Sequence, residues 1–482
     1  MSVPITRLFA VIVLLFAILV GFTSRWSIFE AKALRDNSLN KRPLFAALHV
    51  KRGAILAADG STLARSVRGP GGTYRRTYPS GSLFGHPVGY ANLALQQLSG
   101  LERFRNDELS GQTSELDSIV TQLQGKRQAG NTLRTTLDPQ AQRVATQQLQ
   151  AAGSAGAVVA LDPRTGAVRT MVSTPGYDPN QIGRRGVFAQ LNAPGSGSPL
   201  LDRVTQATYP PGSTFKVVTA AAAIDSGRYT PDSTINGDSP KTISGVPLRN
   251  DGGRSYGDIS LTSALTFSVN TVFAQVGVAL GKGTMADYME RFGFYRKPPL
   301  DYPADQRIAS GERTARGRLL SPTSPLIDVG RMAIGQDKLT VTPLQMAMVA
   351  AAVANGGTLM KPHLTDRVVD PDGRTVKTIS PAVASHVMQP QTASELTQMM
   401  GRVVEEGTGT AVQLPGIDVA GKTGTAEVGA PGSGLTQPWF IAFAPAAAPR
   451  VAIAVTVERS QGGFGGTVAA PIARAVLQTL LR

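Results

Sequence analysis

Three short clusters in this 482-residue chain hold side chains able to do covalent chemistry. The first is Ser213-Thr214-Phe215-Lys216, entered through the stiff segment Tyr209-Pro210-Pro211-Gly212 and followed by an apolar, alanine-rich run. On a helix, a spacing of i, i+3 places the Ser213 hydroxyl and the Lys216 amine one turn apart on one face. Serine is a weak nucleophile without a base beside it. Lysine becomes that base only when burial or a neighbouring cation lowers its pKa from about 10.4 toward neutrality. A helix start also offers unpaired N–H groups and a positive dipole end, useful where an oxyanion develops. Alone the pair is weak: Ser213 could simply cap a helix, and Ser-x-x-Lys arises by chance about once in a chain this rich in serine.

The second cluster is Ser268-Val269-Asn270, after the apolar run from Leu261 to Phe267. A hydroxyl and an amide two residues apart can line a cleft, the first relaying a proton and the second holding a substrate amide. In isolation a turn or cap explains it better. The third is Lys422-Thr423-Gly424-Thr425-Ala426-Glu427. Residues 417–426 alternate as an edge strand would, and Gly424 permits close approach of a ligand backbone. Lys422 offers the second cation that would depress Lys216, while Thr423 and Thr425 offer hydroxyls to an anionic substrate terminus. A surface strand with a solvated lysine is the competing reading.

Segments this far apart meet only on a rigid scaffold. Gly156–Leu161, a turn at residues 162–166 and Ala167–Val172 read as a β-hairpin. Trp439–Phe443 and Val451–Val457 read as two more strands, and Ala469–Leu481 as a closing helix. Between them lie helical stretches at Thr214–Ser226, Leu261–Gly277, Pro343–Ala354 and Pro390–Glu406. The expected fold is α/β (α+β): one antiparallel sheet closed by both chain ends and flanked by helices. Ahead of it, Ala54–Ala57 and Thr62–Ala64 form a hairpin around Asp59-Gly60, Gly69-Pro70-Gly71-Gly72 breaks the chain, and Ser114–Leu123 is a candidate helix. This divides the chain into residues 1–25, a cytoplasmic tip and anchor, residues 26–150, a smaller mixed pedestal or docking domain, and residues 151–482, which carry the chemistry.

No charged residue occurs from Leu8 to Ser24, 17 positions that give about 26 Å of helix, close to a hydrocarbon core. Arg7 and Arg25 can snorkel, and Trp26 sits where an interfacial aromatic belongs. Ala31-Lys32-Ala33 offers a rival cleavage site, but behind Arg25 and Glu30. The expectation is a single uncleaved membrane anchor. The net charge of +15 speaks to partners, not fold. No zinc spacing and no aromatic-flanked basic stripe points to nucleic acid, so acidic lipids or wall polymers are the expected partners. The chain has no cysteine, hence no disulfide or thiolate chemistry, and its four histidines are never paired at ligand spacing. No metal or cofactor is expected.

Taken together, Ser-x-x-Lys behind Pro-Pro-Gly, Ser-x-Asn 55 residues on and Lys-Thr-Gly-Thr another 154 further resemble the motif set of the penicillin-recognising serine enzymes. Gly156–Pro163, Tyr177-Asp178-Pro179-Asn180, Ala333-Ile334-Gly335-Gln336, Thr342–Ala347 and Trp439-Phe440 look like landmarks of class B penicillin-binding proteins, covering residues 150–482 densely. Lys51-Arg52-Gly53 and Gly100-Leu101-Glu102 extend the resemblance loosely forward, most like the penicillin-binding protein A branch of actinobacteria. The resemblance implies a penicillin-binding transpeptidase fold and a D,D-transpeptidase that cross-links stem peptides ending in D-Ala-D-Ala and is acylated by β-lactams. Ser213 would be nucleophile, Lys216 general base, Ser268 proton relay, Asn270 a peptide-binding amide, and Lys422 the field around Ser268. Thr423 and Thr425, around Gly424, would hold the terminal carboxylate. The N–H groups of Ser213 and Thr425 would form the oxyanion hole. It also implies an extracytoplasmic bulk and a partner glycosyltransferase of the shape, elongation, division or sporulation type. The rivals are a D,D-carboxypeptidase or a β-lactam sensor with the same motifs. A class A β-lactamase is disfavoured because the Glu-x-x-x-Asn match, Glu102 to Asn106, precedes Ser213. A bifunctional synthase is disfavoured by the short stretch ahead of Gly156.

Overall fold

The computed structural model describes residues 3–26, 30, 42–111, 129–430 and 432–482. The expected helix at Ser114–Leu123 and the Ala31-Lys32-Ala33 segment lie outside these. Helix α1 (Val3–Ser24) is apolar, has no buried residue, and is long enough to cross a membrane.

The chemistry-bearing part is built on an antiparallel sheet of β1 (Gly156–Leu161), β2 (Val168–Thr174), β3 (Ala420–Glu427), β4 (Leu435–Ala444) and β5 (Val451–Val457), in the order β3-β4-β5-β1-β2. The two chain ends meet where β5 pairs with β1, Ile453 opposite Ala160. Successive side chains on a strand face opposite ways, and that alternation splits the core. Val159, Ile441 and Ala454 join one apolar cluster, whereas Ala160, Ala442 and Ile453 join another. The second cluster is closed by α2 (Pro139–Ala151) and α8 (Ala470–Leu480). The first is closed by α3 (Lys216–Asp225), α6 (Pro343–Ala354) and α7 (Pro390–Glu405), with α4 (Leu261–Thr266) and α5 (Asn270–Arg291) beyond them. Burial on both faces explains why the strands read as apolar runs.

Two expected elements differ. The stretch Leu261–Gly277 is two helices. Ser260 caps α4 by accepting from the Ser263 N–H, Val269 is extended, and Ser268 between them has φ +59°. A serine in the left-handed region is uncommon, and here the break takes Ser268 off the helix surface and into the cleft. The segment carrying Ser213 begins as a 3-10 turn, Gly212–Phe215, and becomes α-helical at Lys216.

The amino-terminal residues form a second six-stranded sheet. Ile55–Leu56 pairs antiparallel with Thr62–Arg68, as expected from the Asp59-Gly60 turn, and Thr62–Arg68 pairs with Tyr74–Thr77. On its other side Thr132–Thr135 pairs with Thr365–Val369 and thereby with Thr375–Thr378. This second sheet thus includes two strands contributed from beyond residue 360.

Candidate active site

The turn carrying Ser213 is wedged between edge strand β3 and the 333–336 segment. Gly212 has φ +53°, and its N–H donates to the Gly335 carbonyl at 3.0 Å. A Cβ on Gly424 would lie 2.7 Å from the Pro211 carbonyl oxygen, and one on Gly335 only 2.0 Å from that of Gly212. Close backbone approach is what these glycines provide. Trp439 Nε1 on β4 donates to the Pro210 carbonyl at 3.0 Å, and the Tyr209 hydroxyl donates to Glu458, which also receives Arg203 Nε at 2.8 Å. Ser213 is half-buried, and among the described residues its hydroxyl makes no hydrogen bond.

The three clusters converge as expected. Lys216 is fully buried and donates to the Ser268 carbonyl at 2.6 Å and to Asn270 Oδ1 at 2.7 Å, with Ser268 Oγ at 3.3 Å. Lys422, equally buried, reaches Ser268 Oγ at 3.0 Å and the Thr423 carbonyl at 3.0 Å. Burial drives the Lys216 amine well below the usual lysine range and Lys422 pushes it further, against a smaller upward pull from Asp251. Lys422 is brought down to about 7 by burial alone. A neutral amine has two N–H donors and one lone pair. Two carbonyl-type oxygens occupy the Lys216 donors, which leaves the lone pair to accept from a hydroxyl.

Thr423 and Thr425 are placed differently. Thr423 is 6 % exposed and its hydroxyl pairs with that of Thr408 at 2.5 Å, whereas Thr425 is half-buried and its Oγ1 accepts from the Gly465 N–H at 3.1 Å. Sequence reasoning missed Thr408, Gly465 and Asn250. Asn250 Oδ1 accepts from the Thr271 N–H at 2.9 Å, and Asn270 Nδ2 donates to the Arg249 carbonyl at 3.1 Å, so this loop is pinned to the second cluster. Only tertiary contact identifies these residues, for none stands at a recognisable spacing. Among the described residues no three acidic or histidine side chains gather as metal ligands.

Residues 156–478 match the penicillin binding protein transpeptidase domain, and the chain belongs to that family. Residues 52–133 match the penicillin binding protein A dimerisation domain. The whole chain is 35% identical to the peptidoglycan D,D-transpeptidase PbpA of Mycolicibacterium smegmatis, covering 99% of that protein. Its structure superposes on penicillin-binding protein A from M. tuberculosis, captured as a ceftriaxone acyl-enzyme, with TM-score 0.81 and 33% identity over 91% of this chain and 100% of the other. A D,D-transpeptidase domain from Eggerthella lenta gives 0.77 and 34% over 90% and 98%.

Proposed function

We propose that this chain is a serine-type peptidoglycan D,D-transpeptidase, acting on stem peptides ending in D-Ala-D-Ala and acylated by β-lactams. The observation that carries this reading is the buried Lys216 amine, held by Ser268 and Asn270 one turn from a half-buried Ser213.

Ser213 Oγ attacks the penultimate D-Ala carbonyl while Lys216 takes its proton. The oxyanion faces the Ser213 and Thr425 N–H groups, each such donor being worth about 3 kcal/mol. Ser268, between the two lysines, passes a proton to the departing D-alanine amine as the C–N bond breaks. An acceptor amine then attacks the ester, loses a proton along the same path, and releases Ser213. Asn270 holds the donor peptide, and Thr425 and Thr423 bind its terminal carboxylate, while Gly424 between them admits the Pro211 carbonyl of the Ser213 turn rather than the ligand.

The organisation proposed is residues 1–25 as tip and anchor, 26–150 as pedestal and 151–482 as the transpeptidase. The bulk lies on the extracytoplasmic side of a single span, where the substrate is, and the enzyme works beside a membrane glycosyltransferase. Fluorescent penicillin should label wild type once, and Ser213→Ala should remove the label. Release of D-alanine with cross-linking to an added amine identifies transfer. Release without transfer to any amine would replace this reading with a carboxypeptidase.

A further inference from the structure

Beside the amino-terminal sheet two buried guanidiniums share one carboxylate, with Asn106 Oδ1 accepting from Arg52 Nη1 at 2.8 Å and the Gly53 carbonyl from Arg76 Nη1 at 2.7 Å. Glu102 is fully buried and receives Arg52 Nη2 at 3.0 Å and Arg76 Nε at 2.5 Å, and neither arginine side chain is more than 4 % exposed. Burial pushes the Glu102 carboxyl up, but the two guanidiniums outweigh it and hold it below the usual carboxylate range. Two permanent cations against one anion leave an excess positive charge, which is costly when buried unless something meets it. Among the described residues Arg76 Nη2 is buried with no hydrogen-bond partner.

Arg52 and Arg76 line a cleft of about 660 Å³ together with Arg75 and Arg184, and among the described residues no aspartate or glutamate lines it. Arg75 and Arg184 are exposed at its rim. Tyr74 and Tyr90 add phenol groups, while Leu48, Val50 and Ile182 supply apolar wall. Four guanidiniums exceed what a single carboxylate neutralises, and the guanidinium fork matches phosphate oxygens two at a time. The apolar wall and the volume suit more than a bare ion. Leu48 belongs to the short helix Arg42–His49 and Val50 follows it, so the cleft is walled on one side by residues ahead of the amino-terminal sheet.

We propose that this cleft is a binding site for a phosphate group carried on an organic moiety. A phospholipid headgroup and a lipid-linked diphosphate share that chemistry. The inference does not depend on the reaction assigned to Ser213.

The test uses the full chain in a neutral detergent, titrated calorimetrically with inorganic pyrophosphate and separately with dihexanoylphosphatidylglycerol. Wild type should saturate with a Kd of about 1 mM or tighter. In the double variant Arg75→Gln/Arg184→Gln the affinity should fall by about tenfold or more as two charge-assisted contacts are lost. Both substituted residues are exposed, and penicillin labelling at Ser213 checks that the variant is folded. Saturation by both probes assigns recognition to the phosphate itself, and saturation by the lipid alone assigns it to the glycerophosphate headgroup. Failure of both probes to saturate wild type, or equal affinity in the folded double variant, overturns the proposal.

Discussion

Lys216 and Lys422 share one hydroxyl: Ser268 Oγ lies 3.3 Å from the first amine and 3.0 Å from the second. Two ammonium groups so placed in a buried cleft would repel each other with little water to screen them. The resting site therefore favours one proton over two. Lys216, driven down by both burial and its neighbour, is the amine that gives it up.

Lys216→Arg separates charge from basicity. Arginine keeps the cation but does not deprotonate, so the acylation rate constant for a penicillin should fall by about 10³-fold or more. Lys422→Arg keeps the charge in the role proposed for it and should stay within about 50-fold of wild type, the remaining loss being geometric. Stopped-flow acylation of both variants is the measurement. Near-normal acylation by Lys216→Arg would remove lysine as the base.

The pH profile tests the second lysine. Acylation should rise with pH as Lys216 loses its proton and fall again above about 7 as Lys422 loses its own. Lys422→Arg should abolish the falling limb because the cation there no longer titrates. Lys422→Ala should move the rising limb to higher pH, since the like charge that helps depress Lys216 is gone. A rising limb that stays in place in Lys422→Ala would leave burial as the sole cause.

Gly335→Ala probes the seat of the nucleophile turn. Gly335 has φ +76°, and a Cβ there would lie 2.0 Å from the Gly212 carbonyl oxygen, which is backbone and cannot swing aside. Either the 3.0 Å bond from the Gly212 N–H is lost or the turn carrying Ser213 shifts. A displacement of about 1 Å is enough to cost about 10²-fold in rate, so penicillin acylation should fall at least that far. Stability should drop by about 2 kcal/mol through strain and overpacking. Wild-type acylation in a folded Gly335→Ala protein would show that the turn has slack.

The sheet was legible because both chain ends carry strands with apolar residues on both faces, and β1, β2, β4 and β5 stand close to where periodicity puts them. The break at Ser268 was not. Periodicity continues through Leu261–Gly277, and nothing in the local composition announces a serine at φ +59°. The tertiary contacts that hold it there, from Lys216, Lys422 and the Asn250 loop, come from positions up to 154 residues away. Ser213, Lys216, Ser268, Asn270 and Lys422 were visible as spaced types. Thr408 and Gly465 act on the threonines of β3 from loops whose sequence carries no such signal.

The buried lysines also set a cost in stability, and its sign follows from proton counting. The folded-state pKa of Lys422 is about 7 and its ordinary value is 10.5. Between those values the unfolded chain binds a proton that the folded chain does not, so stability rises with pH across that window. Below about 7 both states are protonated and the full penalty of a buried ammonium remains; above the ordinary lysine pKa both are neutral and it vanishes. Lys422→Met removes the titrating group while nearly conserving volume. It also strips partners from Ser268 Oγ and the Thr423 carbonyl, a loss of about 1–3 kcal/mol that offsets part of the gain. At pH 6 the variant should be more stable than wild type by on the order of 1–3 kcal/mol, although its acylation is greatly slowed. By pH 10 the advantage should have shrunk or reversed, as wild type no longer buries a charge and still keeps its hydrogen bonds. Chemical denaturation of both proteins at pH 6, 8 and 10 measures this. A stability difference independent of pH would mean that Lys422 titrates alike in the folded and unfolded chain, and that its burial carries no electrostatic penalty.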